Sequence, residues 1–280
     1  MEKKFIGTEE QLGSFDLFGL RKVDFIRRVS EKTEMFSREE ARTYIDGCDY
    51  PESVDDLLMA WEIQKRFNHV GLENMTILDA MCGPGRLGRE LLNLGAQHVV
   101  FHDGDPIMIE HAQRKAAEII ELKQNISTVL SLVDEISLPS DEIDLVVCHN
   151  STHQLSSQGK LGEAMIEFVR LVRPGGFVMV ADYQRNTTPE FLEALEERLE
   201  ETKPEIIPLL IPTFMAAFSK KEWQQVLEST PGVSSFLVTD AEFPKDLTPK
   251  MWEKVIKDPV KGHLMDYGPI SLRVLAQKKK

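Results

Sequence analysis

From Met75 onward, short apolar runs alternate with stretches of helical spacing. Residues 75–80, 98–102, 126–133, 143–149 and 177–182 read as strands one to five. Between them lie helices over 85–94, from Asp105-Pro106 to about 122, and over 160–172. Asp105 is placed to cap its helix, and Pro106 suits the first helical position, where no N–H partner is needed. The run Ile143-Asp144-Leu145-Val146-Val147 is nearly continuous in apolar residues, as expected of a strand covered on both faces. The 160–172 helix is expected to stop at Pro174-Gly175-Gly176. Thr188 and Pro189 open an acidic helix to about 203. Residues 205–218 are apolar but interrupted by Pro208 and Pro212 after Pro204, which argues against one regular helix there. Ser219 with Glu222 is a capping-box pair opening a helix to about 229. Residues 233–239 and 269–277 add strands six and seven, and the connection between them carries a short helix after Thr248-Pro249. Strands alternating with helices in this way predict an α/β fold, a doubly wound and mostly parallel seven-stranded sheet.

The first 74 residues follow a different pattern. Phe15, Phe18, Phe25, Ile26 and Val29 recur at helical spacing, Ser37 and Glu40 form a second capping-box pattern, and Ser53 with Asp56 opens a better helix. Leu57, Leu58, Trp61 and Phe67 share one face of that helix, and Gly71 is a plausible stop. This gives an N-terminal helical segment, 1–74, as a cap or packing appendage, and a main domain, 75–280.

Composition narrows the class. At 280 residues with 42% hydrophobic content, the chain can bury one large core. No apolar run reaches the roughly 18 residues needed to span a membrane, and the N-terminus lacks the apolar core of a signal peptide. Cys48, Cys82 and Cys148 are too far apart for a disulfide framework or a paired-cysteine metal site. A cytoplasmic setting is expected. The formal charge of −13 opposes general binding to nucleic acid, and Lys278-Lys279-Lys280 reads as a solvated end.

The candidate chemistry centres on residues 77–88. A strand ends at Asp79, Gly83 and Gly85 follow, and a helix begins near Arg86. Glycines let bare backbone approach a ligand. Gly83, Gly85 and Gly88 match G-x-G-x-x-G, the dinucleotide fingerprint, so an NAD(P)-dependent oxidoreductase is one reading. Asp79, however, would sit where a pyrophosphate binds and suits a cationic amino-acid group better. Asp103 after strand two is placed for a ribose hydroxyl pair. Asp134 with Glu135 after strand three is placed for an exocyclic amine. Three acids at successive strand ends describe a pocket for an adenosyl group carrying an amine and a sulfonium.

The stretch Ile77-Leu78-Asp79-Ala80-Met81-Cys82-Gly83-Pro84-Gly85-Arg86-Leu87 resembles motif I of the class I S-adenosylmethionine-dependent methyltransferases. The segment with Asp103 and Asp105-Pro106 resembles the family's second-strand motif, and 134–139 followed by 143–147 its third and fourth. Leu171-Val172-Arg173-Pro174-Gly175-Gly176 resembles the family's L-x-P-G-G stretch. The resemblance implies a Rossmann-like methyltransferase fold with strand seven antiparallel beside strand five. It implies S-adenosylmethionine as cofactor, held by Asp79, Ala80, Gly83, Gly85, Asp103, Gly104, Met108, Asp134, Glu135 and His149; no metal is expected, because His149 and His153, four apart, have no paired carboxylates beside them. Met108 reads equally well as helix packing. Met81 departs from the family, which usually has glycine there. Some RNA-modifying members carry a similar Met-Cys-Gly-x-Gly run.

Methyl transfer from a sulfonium needs positioning above all, and a base only where the acceptor must lose a proton. Cys148-His149-Asn150-Ser151-Thr152-His153 closes strand four. By the family's Leu-His-His-Leu run, His153 is the candidate catalytic residue; the bland alternative is a loop-holding histidine. The chain lacks the N-P-P-aromatic run of the base- and amide-methylating branch. Asp182, Tyr183 and Arg185, Tyr44 and Tyr50, and the apolar stretch 206–218 are candidates for the acceptor's surroundings. The expected partner is a small-molecule methyl acceptor. RNA or protein methylation and a non-catalytic cofactor-binding protein stay open, and the sequence does not fix the oligomeric state, a homodimer included.

Overall fold

The computed structural model describes residues 38–48, 54–119, 125–185, 207–241 and 271–280, with scattered positions between 193 and 253. The strand assignments follow the apolar runs closely. β1 is Thr76–Ala80, β2 His98–Asp103, β3 Ile126–Leu130, β4 Ile143–His149, β5 Val172–Tyr183, β6 Val233–Asp240 and β7 Ser271–Lys278. They form one sheet in the order β3-β2-β1-β4-β5-β7-β6. β1 to β5 run parallel, and β7 lies antiparallel between β5 and β6.

The helices are α1 (Arg38–Cys48), α2 (Asp55–Arg66), α3 (Arg86–Asn93), α4 (Pro106–Ala117), α5 (Gln158–Leu171), α6 (Ile207–Ala216) and α7 (Lys220–Ser229). Alternate strand residues face opposite sides, and the burial pattern divides accordingly. Leu78, Val146, Cys148, Val178 and Val180 pack with Phe168 of α5 and Trp223 of α7. Their neighbours Ile77, Leu145, Val147, Met179 and Ala181 pack on the other face with α2, α3 and α4. Met59, Ala60 and Ile63 place α2 firmly in that second core. α2 therefore shares the main hydrophobic layer, whereas α1 packs separately, through Ala41 and Ile45, against Met108 of α4.

Three local readings are corrected. α2 is preceded by Val54, which makes no side-chain cap; Ser53 lies outside the described residues, and Asp56 turns elsewhere. The proline-interrupted stretch does form a helix, α6, with Pro212 inside it. Pro208 falls in the first turn, where N–H groups have no helical partner, so only one bond is forfeited at Pro212. Pro174-Gly175-Gly176 belongs to β5 rather than to a stop before it, and the register with β4 shifts between Ile143 and Leu145. Gly176 is needed there: a Cβ would lie 2.9 Å from the Arg173 carbonyl oxygen and 3.0 Å from that of Asp144. Ser219 and Glu222 form the expected capping box on α7. The expected cap at Ser37, the acidic helix opening at Thr188, and Tyr50 lie outside the described residues.

Strand order reverses between β1 and β4. In open parallel sheets the crevice at such a reversal, beyond the strands' carboxyl ends, is where ligands bind. Asp79, Ala80 and His149 lie at that edge.

Candidate cofactor and acceptor site

The turn after β1 is held by side chains from β2 and from the loop after β4. Met81 has φ +54°, in the left-handed region, which costs a non-glycine residue about 1–2 kcal/mol. Its N–H donates to His102 Nδ1 at 3.3 Å, and its carbonyl accepts from Ser151 Oγ at 2.9 Å. The side chain packs beside the α5 core. The backbone angle supplies the reason for glycine elsewhere in the family and the packing supplies the place for methionine. His102 is fully buried and donates from Nε2 to the Ser131 carbonyl at 3.0 Å. Burial pulls its pKa down to about 4, so it acts as a neutral clamp between the turns after β1 and β3.

Gly83, at φ +51°, donates its N–H to Asp103 Oδ2 at 2.8 Å, while Asp103 Oδ1 accepts from Asp105 N at 2.9 Å. Burial pushes the Asp103 carboxyl up, against these backbone donors. Nothing lies within 4 Å of a Cβ placed on Gly83; on Gly104 the nearest atoms are 3.6 Å and 3.7 Å away. Bare backbone thus borders open space at Gly83, whereas a Cβ on Gly104 would rest in ordinary contact with Ser131 and Leu132. Gly85 and Gly88 serve a different need. A Cβ on Gly85 would sit 2.6 Å from Ala112 Cβ of α4, and one on Gly88 2.3 Å from Phe101 Cε1. The two sets are separable by experiment. Gly83→Ala is expected to weaken S-adenosylhomocysteine binding at least tenfold with a stability change near 1 kcal/mol. Gly88→Ala is expected to cost about 1–3 kcal/mol of stability through overpacking. Calorimetry and thermal melting on the two variants read the difference.

Asp79 is 2% exposed and accepts from Gly88 N at 2.9 Å, in the first turn of α3. Burial pushes its carboxyl well up, with the Asp56 and Asp103 charges adding to the effect and the Gly88 N–H opposing it. A buried acid surrounded by acids suits a cation. The Cys82 thiol, pushed well up by burial and by Asp79 and Asp103, stays protonated.

Other expected residues lie farther from this centre or are otherwise engaged. Asp105 Oδ1 caps α4 through Ile107 N at 2.7 Å. Met108 is buried with Ala41 and Ile45 of α1, with Tyr44 beside them. Asp134 pairs with Lys160 Nζ at 2.8 Å, which holds its carboxyl below the usual range. Glu135 is exposed. Arg185 donates to the Ala217 carbonyl and to Glu222, tying α6 to α7 rather than facing an acceptor.

Beyond β4, one carboxylate organises the loop. Asp182, 2% exposed, accepts from His153 Nδ1 at 2.8 Å, from His153 N at 2.9 Å, from Tyr183 N at 2.8 Å and from Thr152 Oγ1. Burial alone would raise its pKa, but His153, Thr152 and the Tyr183 amide outweigh it and hold the carboxyl low. The Nδ1–H donated to Asp182 leaves the imidazole lone pair on Nε2. Tyr183 continues the aromatic surface from His153, at 6.1 Å between ring centres, to Phe214 at 4.5 Å. On the other side, His149 Nδ1 lies 2.8 Å from Asp56 Oδ1, and Arg86 Nε 3.1 Å from Asp56 Oδ2. Sequence reasoning missed Asp56 in this role because an acid in the first turn of a helix is adequately explained by the helix itself.

Comparison with known proteins agrees with this fold. Residues 77–176 match the family model described as a methyltransferase domain. A 124-residue stretch is 27% identical to malonyl-[acyl-carrier protein] O-methyltransferase of Salmonella typhimurium, spanning 44% of this chain and 45% of that protein. Among solved structures, the plantazolicin methyltransferase BpumL in complex with SAH covers 87% of this chain and 91% of its own, with TM-score 0.60 and 12% identity. An S-adenosyl-L-methionine-dependent methyltransferase structure from Methanococcus maripaludis covers 90% and 98%, with TM-score 0.61 and 18% identity. The sheet order with its antiparallel β7 is that of the Rossmann-like methyltransferase fold, and residues 77–176, which carry the motif-bearing strands, match the methyltransferase domain.

Proposed function

We propose that the protein transfers a methyl group from S-adenosylmethionine to a small-molecule acceptor. The observation that carries the reading is the open space over the Gly83 backbone, whose N–H meets Asp103, with buried Asp79 awaiting a cation. Asp79 and the Ala80 backbone would hold the amino-acid end of the cofactor. Asp103 retains lone pairs for the ribose hydroxyls after accepting its two backbone donors. Gly104 and Glu135 would border the adenine end and His149 the methionine side, with Asp134 available there only on leaving Lys160 and Met108 taken up by packing against α1. When bound, S-adenosylmethionine supplies an electrophilic methyl on a sulfonium and leaves as a neutral thioether.

His153 takes the acceptor's proton at Nε2 while Asp182 keeps the Nδ1 proton in place. This role suits an acceptor hydroxyl, whose oxygen loses one proton to the imidazole as it takes the methyl group; a carboxylate acceptor, ionised at neutral pH, needs no base. Tyr183 and Phe214 give the acceptor an apolar neighbour. The plantazolicin and malonyl-carrier-protein enzymes act on different acceptors, so acceptor class is a matter for assay.

Calorimetry with S-adenosylmethionine and with NAD tests the cofactor reading; tight NAD binding without the other overturns it. A methyl-transfer screen over small acids, phenols, amines and thiols tests the acceptor class, with RNA and protein as further arms. On the acceptor so found, His153→Ala is expected to lower kcat by about 10²–10⁴-fold. Unchanged turnover would remove His153 from the chemistry.

A further inference from the structure

We propose that Asp56, carried by α2 outside the segment shared with the methyltransferase-domain family, is a positioning residue of the cofactor site that fixes His149 and Arg86 on two sides of the glycine turn. The proposal rests on the reading of that turn as a cradle for S-adenosylmethionine.

Asp56 is the second residue of α2. An acid there is ordinarily a solvated partner for the helix dipole. This one turns away from that role. Its side chain is 18% exposed, one oxygen accepts from His149 at the end of β4, and the other from Arg86 at the start of α3. His149 and Arg86 have side-chain exposures of 6% and 16%. Three charged or polar groups from distant parts of the chain thus meet beside the switch-point crevice.

Anchoring of α2 does not require the bridge. Met59, Ala60, Ile63 and Phe67 already bury that helix in the core, and Glu62 pairs with Arg273 of β7 at 2.8 Å. A buried ionic bridge stabilises a fold less well than apolar packing of the same volume. Its geometry at this place is better explained by what it orients. With Nδ1–H donated to Asp56, the His149 lone pair lies on Nε2, ready to accept from a cationic amine. Arg86 is held at the first position of α3, directly after the turn. The Asp56 charge also reaches Asp79, whose carboxyl it helps to push up. A bound ammonium relieves that repulsion, so Asp56 contributes twice: by orienting His149 and by charge.

The test is calorimetric binding of S-adenosylhomocysteine and S-adenosylmethionine to the full chain and to Asp56→Asn, Asp56→Glu, His149→Gln and the Asp56→Asn/His149→Gln pair. Asp56→Asn is expected to weaken binding by about tenfold or more, with the ligand-free melting point little moved and Asp56→Glu restoring part of the affinity. Because Asp56 acts through His149, its penalty is expected to shrink to about threefold or less in the His149→Gln background. Unchanged affinity in Asp56→Asn overturns the proposal, as do single penalties that multiply in the double variant. Loss of affinity matched by loss of the ligand-free fold, without rescue by Asp56→Glu, also overturns it. Failure of the parent chain to bind either compound overturns the cofactor reading itself, and this inference with it.

Discussion

Asp182→Asn is expected to lower methyl transfer by about 10²–10⁴-fold at saturating cofactor, while cofactor affinity stays within a few-fold. Asp182 receives four donors on two oxygens. Asparagine keeps one oxygen and sets an NH2 against the remaining donors. If that NH2 meets Nδ1, the ring must accept there, the proton moves to Nε2, and the base is lost. Stability falls as well, by about 1–3 kcal/mol for the stranded buried donors. The pH dependence has a definite sign. The folded pKa of Asp182 is depressed, so its contribution is present above the unfolded value near 4 and is lost as pH falls through the folded value. Melting curves of the parent should show this acid loss, and those of Asp182→Asn should lack it. Initial rates of the variant equal to those of the parent would leave Asp182–His153 a purely structural pair.

The second large effect has the opposite balance. Asp79→Asn is expected to weaken S-adenosylmethionine binding by about 10–100-fold or more, the value of a charge-assisted hydrogen bond, and to raise the melting point of the ligand-free protein. The folded pKa of Asp79 is raised, because burial and the neighbouring acids disfavour its charge. Stability from the protonated form is therefore full below the unfolded value near 4 and is lost as pH rises through the folded value. At neutral pH the raised carboxyl therefore destabilises the empty protein. An amide can keep an acceptor toward Gly88 N without that cost. Melting with and without S-adenosylhomocysteine separates the two effects. A variant that binds as the parent does would remove Asp79 from the cofactor's partners.

Much of this was legible in the sequence for physical reasons that particular residues make plain. β4 has the same bounds in both readings because a strand covered on two faces must be apolar along its length, and polar residues mark where that cover ends. The glycine turn was legible because left-handed backbone and close packing both demand glycine, although the sequence could not say which glycine served which need. Gly83 borders open space, whereas Gly85 and Gly88 meet α4 and Phe101. α6 was not legible: proline rules weigh each residue, whereas the helix forfeits only one bond at Pro212. The Asp182–His153 and Asp56–His149 pairs join residues far apart in the chain, and no local pattern records such a meeting. Met81 stood out as an exception to the family and found its explanation in a backbone angle and two side chains that restrain it.

The position of β7 has a consequence for the birth of the molecule. β7 fills the gap between β5 and β6, making both of their ladders from residues 271–278. Until those residues leave the ribosome, β5 has an unpaired edge and β6 has no place in the sheet. The nascent chain must therefore carry an open β-edge, a surface prone to pairing with other chains, from the completion of β5 at Tyr183 until β7 at Ser271–Lys278 is made. Sheet closure is a late step joining distant parts of the sequence, and such long-range pairing is intrinsically slow. The parallel strands that hold the glycine turn emerge well before that closure, so the cradle's components exist in the growing chain before the sheet is complete.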